Sequence, residues 1–313
     1  MRLISRLVLA AAFALAAPAF ARDVTDHGGY VVEVPDAPQR ILSLHDWTLT
    51  VMTRELDAPL IASAGRLAPD GSTFIRGARE LFGLDFDAIA LASIHGKPDL
   101  ERIRSLKPDL IVANIGDYGP LREQLSTIAP TLMFDAENGD KPFDLYREYA
   151  GWIGRQARFD ALKAAYDKRI TEARQKLPKT LMDGNYSAIL ANERDGTLTL
   201  LKEYGVQTTV LDDLGMSRTA LAQSVPDGQS RMTIGAELIG EIDADLIVTS
   251  YLPESGEKPE SIFSALARIA PGYEIFLRAH EAKRIFSFSR YEIYPPSFRG
   301  ADIFLDKLEA ELR

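Results

Sequence analysis

His95-Gly-Lys-Pro-Asp-Leu-Glu-Arg-Ile-Arg-Ser-Leu-Lys-Pro-Asp-Leu-Ile-Val112 holds in one short stretch the punctuation of an α/β protein. Leu100, Ile103 and Leu106 recur at helical spacing, Lys107-Pro108 stops the helix, and Leu110-Ile-Val-Ala113 follows as an apolar run. A strand with no polar alternation is one covered on both faces, as in parallel sheets. The same phrase recurs outward along the chain. Arg40-Ile-Leu-Ser-Leu44 reads as a buried strand, followed by an amphipathic helix from near Trp47 to near Leu56 and a second strand at Leu60-Ile-Ala-Ser63. Tyr118-Gly-Pro120 opens a helix over 121–128, and Thr131-Leu-Met-Phe134 is again strand-like. Upstream, Gly28-Gly29 between Val24 and Tyr30-Val-Val-Glu-Val34 predicts a short hairpin.

The middle of the chain changes character. Positions 143–177 contain no proline, and Phe159, Leu162, Tyr166, Ile170, Ala173 and Leu177 keep a helical stripe. A helix over 158–177 is about 30 Å long at ~1.5 Å per residue and would act as a strut. Beyond it the alternation resumes. A strand at Ser187-Ala-Ile-Leu190 is followed by helices expected around 199–204 and over 233–242. Asp245-Leu-Ile-Val-Thr249 is a strand, 261–269 a helix, 283–288 a strand and 299–312 the final helix. Asp-Leu-Ile-Val thus closes a helical stretch in each half, at 109–112 and 245–248. The expected class is α/β: two Rossmann-like lobes with mostly parallel sheets, joined by one long helix with a cleft between them. The divisions are a leader at 1–21, an N-terminal lobe at 22–142, a linking segment at 143–178 and a C-terminal lobe at 179–313.

The chain has 313 residues and is 46% hydrophobic, enough for packed cores and against disorder. With Lys+Arg 36 against Asp+Glu 45 it carries a net charge of −9, which argues against nucleic-acid binding. Cysteine is absent, so disulfide scaffolds, thiolate metal sites and an N-terminal cysteine lipid anchor are not expected. Arg2 and Arg6, the apolar run at 7–17 and Ala19-Phe-Ala21 form a secretory signal, with cleavage expected after Ala21. Losing both arginines makes the mature chain still more acidic. No later window has membrane length. The expected location is a Gram-negative periplasm, without membrane insertion.

Enzyme motifs are missing. There is no Gly-x-Gly-x-x-Gly opening a helix, no phosphate loop, no His-Glu-x-x-His and no Gly-x-Ser-x-Gly elbow. Asp85-Phe-Asp87 reads as solvated carboxylates. A secreted hydrolase is therefore only the distant alternative. In parallel α/β sheets ligands collect beyond the carboxyl ends of strands. The loops there carry His45-Asp-Trp47, Gly65-Arg66, His95 and Asn114 to Tyr118 in the first half. In the second they carry Asn192-Glu-Arg194, Ser250-Tyr251, and Ser289-Arg-Tyr291 with Tyr294. Arginines suit oxygen-rich ligands and aromatics suit a flat organic shell.

Val24-Thr-Asp-His-Gly-Gly29, Val34-Pro35, Pro38-Gln-Arg-Ile-Leu-Ser-Leu44 and above all 95–112 resemble the periplasmic binding proteins that serve ABC importers of iron–siderophore, haem and cobalamin. The resemblance runs over the mature chain in order. It implies two lobes on a long linking helix, limited hinge motion and a ligand held between the lobes. The expected ligand contacts are Trp47, Arg66, His95, Tyr118, Arg194, Tyr251, Arg290, Tyr291 and Tyr294. His95 stands where hydroxamate-binding relatives carry an arginine, and Tyr118 matches an aromatic those relatives place against the ligand. Glu101 and Glu237 match the glutamates by which the family docks onto its permease.

The function so implied is capture of a ferric siderophore, with arginines neutralising an anionic chelate, and delivery to an inner-membrane permease and ATPase complex. No cofactor and no direct metal ligand is expected, His95 and His45 being the only candidates for the latter. The protein is expected to act as a monomer. The alternative ligands are haem, with Tyr or His as axial ligand, and cobalamin.

Overall fold

The computed structural model describes residues 21–312; the expected leader, through residue 20, lies outside the described residues. The hairpin of β1 (Ala21–Thr25) and β2 (Val31–Pro35) is antiparallel. Gly29 takes a φ of 77° at its turn, a conformation that favours glycine. The Asp26 carboxylate accepts the N–H groups of Gly28 and Tyr30, each at 3.0 Å, and that of Met133 at 3.0 Å. One side chain therefore closes the turn and pins the hairpin to the first sheet.

That sheet contains β3 (Ile41–Ser43), β4 (Leu60–Leu67), β5 (Thr73–Phe74), β6 (Ala90–Ile94), β7 (Leu110–Asn114) and β8 (Thr131–Phe134). β4, β3, β7 and β8 are parallel neighbours, β6 flanks β4 in parallel, and β5 folds back antiparallel on the end of β4. The helix Leu100–Ser105, capped by Asp99 Oδ1 accepting the Arg102 N–H at 2.8 Å, delivers the chain into β7 as the sequence predicts. Two helices, Pro142–Trp152 and the 21-residue Gln156–Lys176, then link the halves.

The second sheet contains β9 (Asn185–Asn192), β10 (Thr197–Leu201), β11 (Ser217–Arg218), β12 (Arg231–Gly235), β13 (Leu246–Tyr251) and β14 (Ile285–Ser289). β9, β13 and β14 are parallel, whereas β10 runs antiparallel to both β9 and β12. Two sequence expectations are corrected here. The segment expected as a helix around 199–204 is strand through Leu201 and not helical beyond it: Leu198 and Leu200 are fully buried on one face, with Thr197 and Thr199 alternating with them. The helix expected over 233–242 begins as β12, and only Ala236–Ile242 is helical, as a 3₁₀ segment.

One hydrophobic core runs through both lobes and the link. It takes Ile41 and Val112 from the first sheet, Phe159 and Tyr166 from the linking helix, and Val248 and Phe288 from the second. Its crossing point is Phe298, the first residue of the final helix Phe298–Glu311. The Phe298 ring meets those of Phe143, Tyr146, Phe159 and Tyr166 at centroid distances of 4.5, 5.6, 5.4 and 5.7 Å. Beside it lies Glu55, the last residue of the N-terminal lobe's helix Thr48–Glu55 and itself buried. Its carboxylate accepts the backbone N–H groups of Phe298 at 3.1 Å and Arg299 at 2.7 Å, and the hydroxyls of Ser297 at 3.1 Å and Tyr146 at 3.0 Å. An N-terminal-lobe carboxylate thus satisfies orphan donors at the start of a C-terminal-lobe helix.

Burial raises the Glu55 pKa, and the hydrogen bonds pull it only partly back, to about 6 from 4.5. A folded-state pKa above the unfolded one gives stability that is complete below pH 4.5 and is lost as pH rises through 6. Urea denaturation should accordingly show the native chain losing about 1.5 kcal/mol relative to Glu55→Gln between pH 4.5 and 6.5. Parallel pH profiles for the two proteins would contradict the buried clasp.

Candidate functional site

The carboxyl ends of β3, β4, β6, β7 and β8 open onto a cavity of about 400 Å³ whose lining includes His45, Trp47, Arg66, Arg76, His95 and Tyr294. Its organising group is Asp46, fully buried between β3 and the helix Thr48–Glu55. Arg76, on the β5 extension, grips it bidentately, Nε to Oδ2 at 2.8 Å and Nη2 to Oδ1 at 2.9 Å. Burial works against charge on Asp46, but the hydrogen bonds and charge of Arg76 prevail and hold its pKa below the usual carboxylate value. Anchored in this way, the Arg76 guanidinium lies over the Trp47 ring, 4.1 Å from its centroid. Arg66 Nε approaches the same carboxylate at 3.7 Å.

Trp47 continues into an aromatic row. Tyr294 lies 4.6 Å and Tyr291 5.9 Å from its ring, and Tyr204 lies 4.9 Å from Tyr294. Both histidines are neutral at pH 7. Burial takes the His45 pKa down to about 3, and its Nδ1 accepts the Thr48 N–H at 3.1 Å. Burial and the nearby Arg66 also lower that of His95, whose Nε2 stands 3.7 Å from Asp117. Trp47 Nε1 and Arg66 Nε are buried donors without a protein acceptor, and Nδ1 of His95 is likewise buried without a partner.

The second lobe offers a cavity of about 310 Å³ at the carboxyl ends of β9 and β13, with Ser250, Tyr251 and Arg290 in its wall. Arg290 Nε donates to Ser250 Oγ at 3.1 Å. The lobes touch at the rims. Glu137, in the loop after β8, accepts from Tyr294 Oη at 2.8 Å and pairs with Arg231 of β12 at 2.6 Å. Arg76 reaches Glu254 at 3.9 Å. Backbone meets backbone where Gly139, at a φ of 93°, faces Gly228: a Cβ at Gly139 would sit 2.4 Å from the Gly228 carbonyl carbon.

Of the sequence candidates, Trp47, Arg66, His95 and Tyr294 line the first cavity, Tyr251 and Arg290 the second, and Tyr291 backs Trp47. Two are placed elsewhere. Arg194 is 95% exposed, paired with its neighbour Asp195 at 3.7 Å. It sits in the β9–β10 hairpin turn, so the strand-to-helix loop expected there does not exist. Tyr118 is buried in the first lobe's core with Leu42, Ile111 and Met133, because the short helix Ile115–Tyr118 turns its ring inward.

Glu101 is 87% exposed, 3.0 Å from Arg104, and Glu237 is exposed on the 3₁₀ segment beside a groove of about 630 Å³. Sequence reasoning missed Arg76, Glu137 and Arg231. Arg76 and Arg231 follow or open strands that gave no loop signal, and Glu137 matters only through its cross-lobe partners.

Residues 77–266, more than half of the chain, match the family described as periplasmic binding protein. This chain belongs to that family. These are ligand-binding proteins and not enzymes. Bacillus subtilis (strain 168) YhfQ, assigned as an ABC transporter substrate-binding lipoprotein, is 24% identical over 298 residues, covering 89% of this chain and 85% of YhfQ. The Fe(3+)-citrate-binding protein YfmC of the same organism is 25% identical over 55% of this chain and 52% of its own length. Among solved structures, Staphylococcus aureus SirA complexed with staphyloferrin B superposes with a TM-score of 0.74 at 18% identity, over 93% of this chain and 99% of SirA. The last comparison speaks for the fold.

The binding protein's first lobe should fail without its buried carboxylate. Asp46→Ala strands the Arg76 guanidinium, and chemical denaturation should show a loss of about 3–5 kcal/mol. A loss under 1 kcal/mol would mean Arg76 escapes to solvent and does not depend on Asp46.

Proposed function

We propose that this chain is the periplasmic substrate-binding component of an ABC importer and that it holds a ferric siderophore between its lobes. The observation that carries this reading is that each lobe opens a cavity at the carboxyl ends of its strands, one walled by Trp47 with Arg66, Arg76 and the second lobe's Tyr294 and the other by Tyr251 with Arg290. Ring faces pack the organic shell of a chelate, while the Arg66 Nε and Trp47 indole N–H groups lack acceptor oxygens, which a chelate presents in number. The buried, unpartnered donors Trp47 Nε1 and Arg66 Nε fit such an occupant. Among the described residues no cluster of three or more His, Cys, Asp or Glu is placed to hold a metal ion.

Iron-binding relatives point the same way, as does the export signal read at positions 1–21. Among the described residues no helix is long and apolar enough to cross a membrane. The work is differential affinity: the loaded pair of lobes presents Glu101 and Glu237 to arginines of the permease. Reversing both charges should abolish uptake and leave ligand affinity within twofold, about 0.4 kcal/mol; weakened ligand binding would remove their docking role.

The chain has two tryptophans, and Trp152 lies in the core against His27. In a Trp152→Phe variant Trp47 is the sole indole reporter. Its fluorescence should be quenched saturably by ferric siderophores and far less by the iron-free chelators. A Soret band on mixing with haem, with no response to ferric chelates, would replace this reading by haem binding.

A further inference from the structure

The arginines that make the cleft look cationic are largely neutralised by the protein itself. Arg76 is locked bidentately on Asp46, and Arg231 is taken by Glu137 at 2.6 Å. Arg66 also leans on Asp46, at 3.7 Å. Glu193, in the wall of the second cavity, is cancelled in turn by Arg268. Arg66 and Arg290 are then the cations not consumed by a close ion pair. Against them stand Asp117 and Asp135 in the first cavity's wall, Glu257 in the second, and Glu254 at the rim between them. His45 and His95 add no positive charge at neutral pH. The whole chain, at −9, carries the same sign.

We infer that the chelate this cleft selects is neutral or positively charged, as ferric trihydroxamates are, and not an anionic catecholate or citrate complex. The geometry assigns the arginines a different task from the one the sequence suggests. Arg76 and Arg66, set by Asp46, and Arg290, set by the Ser250 hydroxyl, act as aimed hydrogen-bond donors to uncharged ligand oxygens, and the surplus carboxylates exclude multiply charged anions from a site whose walls confine the field. Asp117 and Asp135 then become specificity residues, since neither pairs closely with an arginine in the first cavity.

This inference rests on the siderophore reading above, and the test separates the two. Fluorescence titration of the Trp152→Phe protein at about 0.15 M salt, where the Debye length is about 8 Å, compares four probes. They are singly positive ferrioxamine B, neutral ferrichrome, triply negative ferric enterobactin and anionic ferric citrate. The expected result is binding of ferrioxamine B or ferrichrome at least about tenfold tighter than either anionic complex, with a gap that narrows as salt is raised. In an Asp117→Asn/Asp135→Asn variant the preference should shrink by threefold or more, about 0.65 kcal/mol or more, with thermal stability as the control for folding. An anionic complex binding as tightly as ferrioxamine B and ferrichrome, or more tightly, overturns the charge assignment and leaves the siderophore reading standing. Binding of haem alone, or of none of the four chelates, overturns both.

Discussion

A single carboxylate, Glu55, joins what the chain order separates. It ends a helix of the first lobe and fills the hydrogen-bonding deficit at the start of the last helix of the second. Around it, the ring of Phe298 sits among four aromatic rings from the linking helices. An interface built this way has two costs of opening, exposure of aromatic surface and loss of hydrogen bonds to a buried charge, and both act together. The linking helix adds its own tether, since Arg169 bonds Asp306 at 2.8 Å and also pairs with Glu309 on the final helix. The lobes are consequently halves of one core and not two domains on a flexible strand.

The rims repeat the theme of internal neutralisation. Asp46 is buried and so is the arginine it holds, which makes the pair costly to desolvate but exact in aim. Its effect is to flatten Arg76 against Trp47 and fix the direction in which donors point. Glu137 does similar work across the cleft, receiving Tyr294 of the aromatic row and Arg231 of the second sheet, both from the C-terminal lobe. Glycine at 139 permits the backbone approach that brings Glu137 there. Orientation and not bulk positive charge is what these contacts produce.

Much of this is legible in the sequence. Apolar strands alternating with helices announce parallel sheets, and the proline-free stretch with Phe159, Tyr166 and Ile170 announces the long helix Gln156–Lys176. Reading strand ends placed Trp47, Arg66, His95, Tyr251, Arg290 and Tyr294 at cavity walls. Failures came where local period was misjudged. Thr197–Leu201 alternates with period two, and treating part of it as helix put Arg194 at a cleft rim instead of a hairpin tip. Tyr118 was misplaced because a four-residue helix sets which way its ring turns, and nothing in the neighbouring sequence records that. Pairings such as Asp46 with Arg76 or Glu137 with Arg231 join residues far apart in the chain, and composition cannot reveal that a guanidinium is already spent.

Rigid lobes around an inter-lobe ligand can be tested with one distance. Because the chain has no cysteine, spin labels can be placed uniquely at exposed Lys97 and Lys258, beyond the carboxyl ends of β6 and β13. Pulsed electron–electron double resonance with and without saturating ferric chelate should give a single narrow distance that shifts by no more than about 2 Å. A broad distribution without ligand that collapses by more than about 10 Å on loading, the signature of hinge closure, would contradict a shared core holding the lobes in place.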